Sequence, residues 1–280
     1  MRQHDTISEI TLEDLTLDPA SADADAVTAT LNAYGTALLP CWVDRDTTAQ
    51  LREEQDHMWA ETVPGVDMDH PAKGGRVIRL RRERMDPGIT PATCAIFEHK
   101  LMREVSERYL KEPFILNREI FVTDHEWDET PILPMHYDQL QCLKFYIYLA
   151  DTTERDGAFT AIPGTHRFTR SLREFYLSRG MPTRALPNRE LPPGMHGGIP
   201  LTGAAGTMIV FDTDAYHMGG TVAQGHRRRV MRGHTRSLPM EIHGAKPLTR
   251  QWWREHPLNP ATAMRRGLDR LFGVEPPSFV

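Results

Sequence analysis

The stretch P-M-H-Y-D-Q-L-Q-C-L-K-F-Y-I-Y-L-A-D-T-T-E-R-D-G-A-F-T-A-I-P-G-T-H-R, running from Pro134 to Arg167, decides how the rest of the chain is read. His136 and Asp138 stand two residues apart in it. Leu140, Cys142, Phe145, Ile147 and Leu149 continue as an apolar run rich in strand-forming residues. On a strand, residues i and i+2 point to the same face. An imidazole nitrogen and a carboxylate oxygen can then converge on one metal ion. By itself the pair says little, because the chain has 13 histidines and most His-x-Asp pairs lie on surfaces.

Working outward, the 280 residues suit one large domain built on a substantial core. The balance of 33 Lys and Arg against 38 Asp and Glu gives no broad basic surface for nucleic acid. The three cysteines, Cys41, Cys94 and Cys142, form neither a disulfide framework nor a zinc spacing, so a reducing cytoplasm is expected. The first residues, M-R-Q-H-D-T-I-S-E-I-T, lack the apolar core of a signal peptide. No run of about 18 apolar residues predicts a membrane span.

In chain order, residues 1–60 read as a helical lead-in. A helix is expected over Ala22–Tyr34 with Gly35 ending it, then a short strand Thr36–Leu39. Asp44 or Asp46 is expected to cap a second helix reaching about Trp59. Residues 63–75, rich in Gly, Pro and Asp, read as a loop. Val77–Arg84 reads as a strand with Arg79 and Arg81 on one face, either a solvated charged edge or a clamp for an anionic group. Pro91–Tyr109 reads as one helix, and Phe114–Thr123 as a strand. Strands follow at Ala158–Ile162, Gly206–Asp212 and Arg227–Thr235. Pro163-Gly164-Thr165-His166-Arg167 reads as a turn, residues 168–200 as a long excursion, part helical over Arg170–Leu177 and part Pro/Gly-rich loop, of the kind used as lids or binding loops, and 248–272 as an amphipathic helix. Many short strands punctuated by turns predict a mainly β fold with flanking helices, a double-sheet jelly roll or barrel. Its core is expected at 114–235 within a single domain spanning 1–280.

A second histidine must complete the metal site. His217 is the candidate, placed after an apolar strand and just before Gly219-Gly220; His166, His226 and His234 are more poorly placed. Two His and one carboxylate on one face of an octahedron, with open positions opposite, is the ligand set of non-haem Fe(II) oxygenases. Arg228 lies in the next strand, sharing a face with Val230 while Arg227 and Arg229 share the other. One of three arginines can therefore point inward, where a guanidinium grips a carboxylate at two points.

Together these residues give the chain a resemblance to the phytanoyl-CoA dioxygenase family of Fe(II)- and 2-oxoglutarate-dependent oxygenases. It is carried by H-Y-D at 136–138, L-K-F-Y-I-Y-L at 143–149, D-G-A-F at 156–159, P-G-T-H-R at 163–167, G-T-M-I-V-F-D at 206–212, His217 and Arg228. The resemblance implies a cupin-like double-stranded β-helix. It implies Fe(II) held by His136, Asp138 and His217, with O2 as a further cosubstrate. Arg228 would then hold the distal carboxylate of 2-oxoglutarate, assisted by Lys144 and by Asn117. The family often has Ser two residues after the distal histidine, where this chain has Gly219. Its halogenating relatives lack the carboxylate that Asp138 provides, so hydroxylation of a small or medium-sized metabolite is expected. Desaturation, cyclisation or epimerisation by the same cofactors is the alternative. A zinc hydrolase would need no Arg228, and a non-catalytic jelly-roll binder would need no triad. The expected partner is a small-molecule substrate, with neither nucleic acid nor membrane; a homo-oligomer is left open.

Overall fold

The computed structural model describes residues 10–72, 75–127, 134–179, 191 and 198–240. The expected helix at 248–272 lies outside them, as does most of the excursion beyond residue 179. After a four-residue helix α1 (Leu12–Leu15), helix α2 (Ala24–Tyr34) starts where Asp23 accepts the Ala26 amide at 2.8 Å. It stops at Gly35, whose φ of 78° is left-handed. A Cβ at that position would also lie 2.6 Å from the His166 ring. Helix α3 (Arg45–Ala60) takes its cap from Asp44, which accepts the Thr47 amide at 2.8 Å.

Seven strands form the major sheet. In chain order they are β1 (Thr36–Leu39), β2 (Val66–Ala72), β3 (Gly75–Arg81), β4 (Phe114–Glu126), β5 (Leu143–Tyr148), β8 (Met208–Asp212) and β10 (Arg227–Ser237). Across the sheet they run β1-β8-β5-β10-β4-β3-β2, with antiparallel pairing throughout. A minor sheet, β7-β6-β9, is made of β6 (Phe159–Ala161), β7 (Ile199–Pro200) and β9 (His217–Gly219). Between the two sheets lie Tyr146, Tyr148, Phe159, Ile209, Phe211 and Val230. Phe159 and Phe211 pack at 4.2 Å between ring centres. Each such buried ring contributes about 1.5–3 kcal/mol. The opposite face of the major sheet, with Ile78, Leu80, Ile120, Val122, Phe145, Ile147 and Met231, packs under the helices. This is the jelly-roll architecture expected from the strand pattern. The sheet also draws β1, β2 and β3 from before residue 114, so the β core is wider than 114–235.

Two elements differ from expectation. The loop expected at 63–75 holds strand β2, which lies at the edge of the sheet, where Pro71 need not donate to a further strand. The single helix expected over Pro91–Tyr109 is two, α4 (Pro91–Phe97) and α5 (Lys100–Leu110). Between them His99 leaves the helical region and caps α5 by accepting the Leu101 amide at 3.2 Å. Among the described residues no helix is long and apolar enough to cross a membrane.

Candidate metal centre

His136 and His217 face each other across a two-way backbone bridge. The His136 amide donates to the His217 carbonyl at 3.0 Å, and the His217 amide donates back at 2.7 Å. This pairing extends the minor sheet by one residue and sets the two rings 4.6 Å apart. His136 is thus on a bridge rather than a strand. Asp138 follows in a loop, held by its amide to the Thr213 carbonyl at 2.9 Å. One ligand atom from each of His136, Asp138 and His217 lies within 4.8 Å of the others. His136 Nε2 stands 3.5 Å from Asp138 Oδ1.

The imidazoles are oriented for a metal. His136 Nδ1 lies 2.7 Å from the Pro134 carbonyl, and His217 Nδ1 lies 2.8 Å from the Ala215 carbonyl. A carbonyl only accepts, so each Nδ1 carries the proton and each Nε2 presents a lone pair to the shared space. Burial pushes the His217 pKa down to about 3, against the pull of Asp138, so the ring is neutral as a ligand must be. For Asp138, burial alone would raise the pKa, but the Lys144 ammonium holds it well below the usual carboxylate range. The donor set fits a divalent ion of the iron type.

Lys144 was expected beside the cosubstrate. Its Nζ instead sits 2.8 Å from Asp138 Oδ2, so its visible role is to hold that carboxylate. Asn117 leaves the barrel altogether. It takes a φ of 42°, and its amide donates to the Phe97 carbonyl at 2.7 Å on the helix side of the sheet. Its Oδ1 lies where a Cβ on Gly233 would come within 2.3 Å. The strand parity of the arginines is as read from sequence. Arg227 turns out to Asp124, and Arg229 to Gln55 and Asp56. Arg228 is 4% exposed inside the barrel, donating to the Gly157 carbonyl and, at 3.0 Å, toward His125 Nδ1. No carboxylate of the described residues pairs with it, and its Nε is buried without a partner. Gly219 has a reason here: a Cβ on it would stand 2.9 Å from Arg228 Nη2.

Arg79 and Arg81 do lie on the barrel face, opposite Phe121 and Glu119, but they are spent on internal partners. Arg79 pairs with Asp67 at 2.7 Å, and Arg81 with Asp67 and with Glu119 at 2.8 Å. Sequence reasoning missed a brace behind the site. Helix α6 (His166–Ser178) sends Arg173 to Asp214 and, at 2.8 Å, to the backbone carbonyl of Asp138. Arg170 and Tyr109 both reach Asp212 Oδ2 at 2.7 Å. The signal was present in the run Asp212-Thr213-Asp214, two buried acids that demand cations from another element.

A family model, phytanoyl-CoA dioxygenase (PhyH), matches residues 31–230. No curated protein matches the sequence. Among solved structures, the fold is similar to the non-haem α-ketoglutarate-dependent epimerase SnoN from nogalamycin biosynthesis, at 16% identity and a TM-score of 0.55 over 79% of this chain and 84% of that one. It is similar to the carbocyclase SnoK of the same biosynthesis, at 14% identity and a TM-score of 0.56 over 80% and 87%. HygX from Streptomyces hygroscopicus, solved with nickel and 2-oxoglutarate bound, matches at 12% identity and a TM-score of 0.54 over 75% and 86%. At these identities the likeness concerns the fold.

Proposed function

The chain belongs to the phytanoyl-CoA dioxygenase family, a family of iron- and 2-oxoglutarate-dependent enzymes, and from that membership we propose that it hydroxylates a small or medium-sized metabolite. The observation that carries the reading is the pair of imidazoles whose Nδ1 protons are tied to backbone carbonyls, leaving both rings a free nitrogen close to the Asp138 carboxylate. His136, Asp138 and His217 would hold Fe(II). Arg228 would hold the distal carboxylate of 2-oxoglutarate. When bound, the metal and cosubstrate supply oxidative decarboxylation, which activates O2 for attack on a C–H bond.

The protein's own part is positioning and exclusion. Lys144 fixes one oxygen of Asp138, so the other would be left to hold the metal. The Pro134 and Ala215 carbonyls fix the ring tautomers. Phe159 and Phe211, against the His217 ring at 5.8 and 5.1 Å, keep that side of the site dry. SnoN and SnoK are described as an epimerase and a carbocyclase, which supports epimerisation or ring closure as a second reading. Product mass separates the outcomes: gain of an oxygen for hydroxylation, loss of two hydrogens for cyclisation or desaturation, and no change for epimerisation.

The first test titrates 2-oxoglutarate into the anaerobic Fe(II) protein, following the metal-to-ligand charge-transfer band. Breaking one side of a buried charge pair costs about 2–5 kcal/mol, so Arg228→Ala should weaken binding by roughly 30-fold to several thousand-fold. Arg227→Ala and Arg229→Ala should leave it nearly unchanged. Equal losses in all three variants, or no band in the native protein, would defeat the reading.

A further inference from the structure

Among the described residues Arg232 is a cation without a counter-ion. It projects from β10 on the same face as Arg228 and Val230, opposite Tyr146 of β5 and Phe121 of β4. Its guanidinium stacks over the Phe121 ring at 4.8 Å, and its Nε is buried with no hydrogen-bond partner. Among the described residues no carboxylate pairs with it. Burial pulls its pKa below that of an ordinary arginine, as expected for a cation taken from water without a partner.

The other charges on this face are matched. Arg79 and Arg81 share Asp67 and Glu119, Arg236 reaches Glu119 at 3.5 Å, and Lys144 holds Asp138. Among the described residues two cations on this face remain, Arg228 and Arg232. Under the function proposed above, 2-oxoglutarate brings two carboxylates, one to the metal and one to Arg228. Nothing in that set neutralises Arg232. Arg232 is half-buried, and an unpaired charge drawn partly out of water is costly and persists where a ligand supplies its partner. Along the strand Arg232 lies between Arg228 and His234, and His234 pairs directly with Lys144, the residue that holds the metal carboxylate. His234 is 7% exposed, stacks on the same Phe121 ring at 4.4 Å, and has neither ring nitrogen hydrogen-bonded. Guanidinium and imidazole thus both lie against the Phe121 ring, one strand over from Lys144, with hydrogen-bonding capacity unused.

We propose that Arg232, with His234, anchors a carboxylate of the substrate, so that the enzyme acts on a carboxylic acid rather than a neutral compound. The inference rests on the iron and 2-oxoglutarate reading and adds the substrate class to it. Arg228 stays with the cosubstrate. The Arg232–carboxylate pair sets which substrate carbon faces the metal.

The test uses acetate, the smallest carboxylate, and its neutral isostere acetamide as probes. The anaerobic Fe(II) protein is first saturated with 2-oxoglutarate, which occupies the metal and Arg228. Paramagnetic broadening of 13C-labelled acetate then reports binding close to iron. In the native protein the broadening should be saturable with acetate and at least about tenfold weaker with acetamide. Arg232→Gln should remove that preference, whereas Arg232→Lys should retain part of it. Both variants should bind 2-oxoglutarate as the native protein does, which also shows that they are folded. Equal broadening by acetate and acetamide, or acetate binding unchanged in Arg232→Gln, overturns the proposal. Loss of 2-oxoglutarate binding in Arg232→Gln to the extent seen on truncating Arg228 also overturns it, since the anion would then be the cosubstrate's own. A native protein that binds no 2-oxoglutarate overturns the function reading itself, a separate result read before any acetate is added.

Discussion

Lys144→Met tests how far the metal site depends on a residue that never touches the metal. In the native protein Lys144 Nζ, half-buried over the Phe211 ring, holds Asp138 Oδ2 at 2.8 Å. Without it Asp138 keeps its backbone tie to Thr213 but loses the side-chain contact that sets its rotamer. Removing such an outer partner typically costs 10–100-fold in metal affinity, and we expect a loss of that size by calorimetry with Ni(II). Relief of repulsion between ammonium and metal acts the other way, so tighter binding would show that repulsion outweighs orientation. A lysine in a strand of Phe, Tyr and Ile stands out in the sequence, yet the sequence does not say which of the nearby acids the ammonium meets. For Asn117 it failed because a left-handed backbone turns the side chain to the wrong side of the strand, and alternation cannot be read through such a point.

At the scale of the element, α6 ties the metal loop to the helical layer. Its first residue, His166, is fully buried beneath Gly35, and burial pushes its pKa down to about 4. Because the folded value lies below that of the unfolded chain, the neutral ring stabilises the fold above about pH 6.5. This stability is lost as pH falls toward 4, since the unfolded chain takes up the proton first. Between pH 7.5 and 5.0 the native protein should lose about 2 kcal/mol that His166→Gln does not, measured from urea unfolding at both values. Equal losses in the two proteins would place the titration elsewhere. Helix α6 also shows where reading by element stops. Its residues 170–177 were legible from their spacing, but Pro163-Gly164-Thr165-His166-Arg167 read as a turn, although His166 and Arg167 already belong to the helix. Asp44, Gly35 and Thr36–Leu39 were legible because caps and short apolar runs act locally. Strand β2 was not, because its pairing with β3 overrides a composition of Asp, Pro and His.

For the molecule as a whole, the ligands come from segments far apart in sequence that meet only when both sheets are closed. Metal binding is therefore linked to global folding. At a free Ni(II) concentration of about 100 times Kd the native state should gain about 2.7 kcal/mol, or roughly 5 °C in Tm, and EDTA should reverse it. A Tm indifferent to both would mean that the cluster binds no metal. The two walls of the barrel are also unequal. Strands β4 and β10 span 13 and 11 residues, while β6, β7 and β9 span three, two and three. The thin wall carries His217 and, through one reciprocal pair of amides, His136. Its backbone should breathe on its own, opening far more often than the whole protein unfolds. By hydrogen exchange, the amides of His136, Asp138 and His217 should run ahead of those of Val122 and Met231, and metal loading should slow the first group while leaving the second untouched. The ion would then act as a rivet for the weaker side of the barrel, and the rate at which that side opens would cap how fast the metal can leave.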